Sequence, residues 1–239
     1  LSSVATGVDL HTPPFWGRRV VKGLALREIA AYLNETALFR GQWGFRKNDL
    51  SDGEFEALLD EQARSALRRL IDEASAGAIL EPAVVYGYFP VQADGDELIV
   101  YADDQRTERT RFRFPRQDGK WNLCLADYFR PVESGEIDVA AFHLVTMGSK
   151  VSAHAHALFE DDSYQEYLYW HGFGVEMAEA LAEFWHRRIR QELGIAGEDG
   201  VGVRDLIAGR YRVVKALRRS RFGQVWLVED TREGNRPAV

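Results

Sequence analysis

Between Phe55 and Ala74 the apolar residues recur at spacings of three and four: Phe55, Leu58, Leu59, Ala63, Ala66, Leu67, Leu70, Ile71 and Ala74. That period lines them along one face of an α-helix. Ser51 and Glu54 have capping-box spacing ahead of it, and Gly77 is a natural stop behind it. A second periodic stretch, Gly174–Leu193, predicts a buried stripe of Val175, Ala178, Leu181, Ala182, Trp185 and Ile189. Glu176, Glu179, Glu183, Arg187 and Arg190 fall on its other side. Further helices are predicted over Ser149–Trp170 and, shorter, over Leu26–Asn34. Phe39–Phe45 mixes aromatics with glycines and suits a loop or irregular strand.

The remaining pattern is extended. Val84–Phe89 is β-branched and aromatic, Asp94-Gly95-Asp96 is a turn, and Glu97–Tyr101 completes a predicted hairpin. Arg109–Phe114 alternates polar and apolar positions, as a strand with one buried face does. Ile137–Thr146 is more continuously apolar, which predicts a central strand. Residues 1–25 read as extended and loop-like around Pro13-Pro14. Gly194, Gly197, Gly200 and Gly202 mark a linker. It divides a domain of residues 1–197 from an atypical tail, 198–239, in which a short helix and a β-hairpin are expected. Helices framing a mostly antiparallel sheet define an α+β class.

Composition narrows the function classes. With 28% charged and 46% hydrophobic residues the chain is an ordinary globular protein. Its net charge of −7 argues against a nucleic-acid partner. The single cysteine, Cys124, excludes an internal disulfide and fits a cytoplasmic setting. No apolar run reaches the length of a membrane span, so no membrane partner is expected. Leu1 in place of Met, and the apolar context of Val239, make both ends look like cuts in a longer protein.

Few residues carry chemistry on their own. His154 and His156 would share a face on a strand and could there bind a metal; on the helix predicted here they diverge, and solvated or capping roles are favoured. Glu183 and His186 form one Glu-x-x-His pair, without the second that a two-metal bundle needs. A surface pair between Glu183 and Arg187 is the expected alternative. Cys124 lies among apolar neighbours and reads as a buried, inert thiol, and Asp127 is placed to cap a helix or tie a loop.

Five segments, in order, carry a resemblance. They are Thr12-Pro13-Pro14-Phe15-Trp16-Gly17; Tyr32-Leu33-Asn34-Glu35-Thr36-Ala37-Leu38-Phe39 with Trp43-Gly44; Val85-Tyr86-Gly87-Tyr88-Phe89-Pro90; Leu123-Cys124-Leu125-Ala126-Asp127-Tyr128; and Met177-Ala178-Glu179-Ala180-Leu181-Ala182-Glu183. Over about residues 9–195 the chain resembles the activation domain of cobalamin-dependent methionine synthase. The resemblance implies a curved α+β domain that presents S-adenosylmethionine to cobalamin held by a separate domain. Reductive methylation of cob(II)alamin takes place there, with a flavodoxin-type reductant as electron donor. It implies part of a methyltransferase, with no homocysteine turnover expected from this chain alone. Absence of a Gly-x-Gly-x-x-Gly turn agrees with a fold other than the doubly wound methyltransferases.

The same resemblance supplies three candidate ligand residues. Asn34 falls where some family members carry an Asp facing the ligand's cationic end. Glu179 matches a family glutamate near the ligand; its alternative reading is a solvated helix residue. Arg219 matches the Arg of the family's Arg-x-x-x-Gly-Tyr-Pro-Ala-Cys-Pro segment, and a guanidinium there can clasp a carboxylate. Arg219 and Gly223 keep the spacing, but Gln224-Val225-Trp226-Leu227 replaces the rest of that segment. The tail also resembles the first two strands of a protein kinase, Tyr211–Val214 and Leu217–Asp230, with Arg218 and Ser220 at two positions that are glycine in kinases. A second reading is therefore a non-catalytic scaffold or fusion fragment that has lost ligand binding.

Overall fold

Alternation of side chains along Ala83–Asp94 gives the sheet its centre. The computed structural model describes residues 9–118 and 122–196, together with the backbone of four later strands. In the first part, strand β2 (Ala83–Asp94) pairs along one edge with β1 (Gly17–Lys22) and then β3 (Glu97–Tyr101). Its other edge pairs with β5 (Asp138–Thr146), and β4 (Glu108–Arg113) lies outside β3. All these pairings are antiparallel, so the α+β class read from the sequence is the one that forms.

The helices are α1 (Leu26–Ala30), α2 (Asp52–Leu58), α3 (Arg64–Gly77), α4 (Lys150–Glu160) and α5 (Tyr164–Glu192). Val84, Tyr86 and Tyr88 of β2 point to the inner face and share one core with Ile29, Leu38, Phe39, Leu70, Phe173, Met177 and Leu181. Each large apolar side chain buried there contributes roughly 1.5–3 kcal/mol. The outer face is covered in part by the chain after β4: Phe114 and Phe129 pack on Val91, Leu98 and Val100, and with Cys124 and Ala126 on Ala93.

Several expectations change. The helix after Ser51 has the capping box, with Ser51 Oγ accepting from Glu54 N–H and Glu54 accepting from Ser51 N–H. It ends one residue later than expected, on Ala78 in the left-handed region (φ 46°), and a π-helical turn at Leu59–Ala63 joins α2 to α3. Phe39–Gln42 is neither strand nor loop but part of a π-helical turn, Ala37–Gln42, that buries Leu38 and Phe39, while Trp43–Phe45 is irregular. The first helix stops at Ala30, and Gly17–Lys22, expected as loop, joins the sheet.

The break between the last two helices falls at residues 161–163, not at 171–173. Gly172 and Gly174 are packing glycines inside α5. A Cβ on Gly172 would stand 2.6 Å from Gln42 Cβ, and one on Gly174 3.0 Å from Val151 Cγ2. The buried stripe is turned accordingly, so that Val175 is exposed while Phe173, Glu176 and Met177 are buried.

Two strands also differ. β5 is an edge strand rather than a central one, pairing among the described strands only with β2. β4 is exposed at every residue, so the polar–apolar alternation there does not give the buried face it predicted. After residue 196 the backbone forms a second antiparallel sheet, β6 (Leu206–Ile207), β7 (Tyr211–Ser220), β8 (Gly223–Asp230) and β9 (Pro237–Ala238). The short helix expected in this stretch is not among the described elements.

Candidate functional site

Residues 32–43 run alongside α5 in the opposite sense, and two sets of cross-links fix that register. At one end Tyr32 meets Phe184 edge-on, 5.4 Å between ring centroids, and its hydroxyl accepts from Arg187 Nη1 at 3.2 Å. At the other end Gln42 Nε2 donates to Glu176 Oε1 at 3.2 Å, and Trp43 Nε1 donates to the Tyr169 carbonyl at 3.1 Å. Gly172 permits this approach, since any side chain there would strike Gln42. Asn34, on the segment, and Glu179, on the helix, each fall in sequence between the two sets of cross-links.

Their surroundings differ. Asn34 is exposed and holds the local backbone. Its Oδ1 accepts from Ala37 N–H at 3.2 Å and its carbonyl from Leu38 N–H at 3.0 Å, which starts the turn that runs to Gln42. Glu179 is exposed on α5. Three residues before it, hence on the adjoining turn of the same helix flank, Glu176 is only 7% exposed. The sequence stripe puts Glu176 on the solvent side, and the structure buries it. Its i, i+3 spacing to Glu179 is the signal that points to it. Arg219 lies on β7, and its side chain is outside the described residues.

The other end of α5 is tied to the sheet. Glu192 accepts from the hydroxyls of Tyr88 (3.0 Å) and Tyr86 (3.2 Å) and from Arg188 Nε (3.0 Å). Burial, and then the Glu192 carboxylate, hold the Tyr88 phenol well above its ordinary titration range, so it remains a neutral donor. Burial likewise raises Tyr86. Phe15 packs edge-on against both tyrosine rings.

The other candidates are accounted for locally. His154, on α4, rests edge-on against Trp170 of α5, and His156 pairs with Glu160. No group of three or more His, Cys, Asp or Glu able to hold a metal occurs among the described residues. The expected Glu183–Arg187 pair is not among the ion pairs of the described residues, because Arg187 turns to Tyr32 instead. Cys124 is buried, in keeping with its apolar neighbours. Asp127 ties a loop: both its oxygens bind Arg116, which also reaches Asp96.

Residues 25–217 match the family described as vitamin B12 dependent methionine synthase, activation domain. The chain is a member of this family. The match stops two residues short of Arg219. Methionine synthase of Mycobacterium tuberculosis is 43% identical over 212 residues, which is 85% of this chain, and that of Mycobacterium leprae 43% identical over 204 residues, or 82%. The chain spans only 18% and 17% of those two relatives. The crystal structure of the MetH reactivation domain bound to AdoHcy superposes with a TM-score of 0.70 at 24% identity, over 81% of this chain and 62% of that one. This likeness establishes the activation-domain fold.

Proposed function

We propose that this activation domain binds S-adenosylmethionine along α5 and presents it for the reductive methylation of cob(II)alamin held by another domain of a methionine synthase. The observation that carries the reading is the pair of carboxylates on adjoining turns of α5, Glu176 and Glu179, with Glu176 tied to Gln42 of the segment that also carries Asn34. S-adenosylmethionine carries a sulfonium and an ammonium, and two carboxylates with an amide oxygen fit those cations. Glu179 and Asn34 would hold the cationic end, and Arg219 the ligand's carboxylate. When bound, the ligand supplies an activated methyl group on sulfur. The part played by this chain is orientation, since a methyl transfer requires a fixed line of approach.

The partners in this reading are the cobalamin-binding domain of the parent enzyme and a flavodoxin-type reductant, in the cytoplasm. None of the described helices is long and apolar enough to cross a membrane. The reading also keeps residues 1–197 as the domain and 198–239 as a tail. Calorimetric titration of the whole chain with S-adenosylmethionine tests it. Saturable binding is expected, weakened about tenfold by Glu179→Ala and by Arg219→Ala, as loss of one charged hydrogen bond requires. No heat at millimolar ligand would sink it. That outcome would favour a scaffold that keeps the fold without the ligand, a reading supported by Gln224–Leu227 standing in place of the family's segment.

A further inference from the structure

We propose that the outer face of the sheet carries a second binding site, a groove for a planar aromatic anion. The groove has a volume of about 350 Å3, and its walls include Phe89, Phe112, Phe142, Leu144, Arg18 and Arg109. It lies on the opposite side of the sheet from α5, so it is separate from the surface assigned to S-adenosylmethionine.

Three observations point to its ligand. Phe142 stands 5.7 Å from both Phe89 and Phe112, at 52° and 43°, so rings from β5, β2 and β4 form one continuous surface. That surface is left open: Phe112, Phe142 and Leu144 are 42%, 40% and 74% exposed. Grouped aromatics exposed on a folded domain mark an interaction site.

Charge supplies the third. No Asp or Glu occurs among the described residues lining the groove. Arg18 and Arg109 have no carboxylate partner among the described residues, whereas Arg111, two positions along the same strand, is gripped by Glu108, Asp94 and Glu97. Arg109 lies over the Phe89 ring at 5.9 Å. Arg18 is held at the groove by tight backbone packing: a Cβ on Gly87 would meet the Gly17 carbonyl oxygen at 2.2 Å, so only glycine lets β1 sit this close.

A surface of grouped phenyl rings takes a flat ring system, and a guanidinium takes phosphate or carboxylate in a planar, two-point contact. The volume is near the lower limit for small-molecule sites. It suits one or two fused rings bearing one anionic group.

The test titrates the whole chain with 1-naphthyl phosphate, with inorganic phosphate and 1-naphthol as separate arms. One-site saturation is expected, and each half-ligand should bind at least about tenfold more weakly. Arg18→Ala and Arg109→Glu are exposed substitutions that should leave the thermal midpoint unchanged while weakening the probe about tenfold. Phe112→Ala should weaken it as well. S-adenosylmethionine titrations of the same variants should match the parent chain, which keeps failure of one site distinct from failure of the other. Absence of saturation at millimolar probe, equal binding of 1-naphthol, or affinity held within about twofold in both arginine variants overturns the groove.

Discussion

Asn34 serves a turn and, on the proposed reading, a ligand as well. Its amide oxygen already accepts from Ala37 N–H, so Asn34→Ala should cost about 1 kcal/mol of stability whether or not ligand is present. Asn34→Asp keeps that acceptor and adds a negative charge beside the cation proposed to bind here. It should unfold at the parent's midpoint yet tighten S-adenosylmethionine by about two- to fivefold, a gain of about 0.5–1 kcal/mol. Denaturant unfolding and calorimetry on the two variants separate the roles. Ligand affinity left unchanged by Asn34→Asp would assign Asn34 to the turn alone. Glu176 is harder to read from sequence, because a carboxylate inside a helix period normally marks the wet side. Its hydrogen-bond partner Gln42 is distant in sequence and comes alongside because residue 172 is glycine.

At the scale of elements, glycine separates what the sequence shows from what it hides. Period and caps locate α2, α3, the β2–β3 hairpin and the helical run of α5. They misplace the break before α5, because Gly172 and Gly174 look the same in a sequence whether they end a helix or let another segment press against it. The two uses predict opposite responses. Gly53 lies in the first turn of α2 with open space around it, so Gly53→Ala should stabilise by about 0.5–1 kcal/mol through propensity alone. Gly172→Ala gains the same propensity but forces α5 off Gln42, at a cost of about 1–3 kcal/mol. Urea midpoints moving in opposite directions would bear this out, and a stabilised Gly172→Ala would refute the close approach. The strands mislead for a related reason. An apolar run such as that in β5 guarantees neither burial nor a central position in the sheet, since Phe142 and Leu144 are exposed, and alternation in β4 does not guarantee a neighbour above it.

For the whole molecule, α5 is the member to which the rest is referred. It is one helix of 29 residues, about 44 Å long at 1.5 Å per residue. Residues 32–43 are fastened to it between Tyr169 and Arg187, and β2 to its last turn through Glu192. A ligand held along it adds to global stability rather than to one loop. S-adenosylmethionine at about 100 times its dissociation constant should add about 2.7 kcal/mol, which for a chain of this size raises the unfolding midpoint by about 5–10 °C. A scan showing ligand-induced change in only part of the transition would mean that the two fastenings do not act together. The free side of β5 has a different consequence, which concerns handling. Along Val139–Val145 the strand carries no Lys, Arg, Asp or Glu, and among the described strands nothing pairs with its outer backbone groups. Such a border is a template for further strands, so concentration, more than temperature, will set the limit on keeping this chain monodisperse.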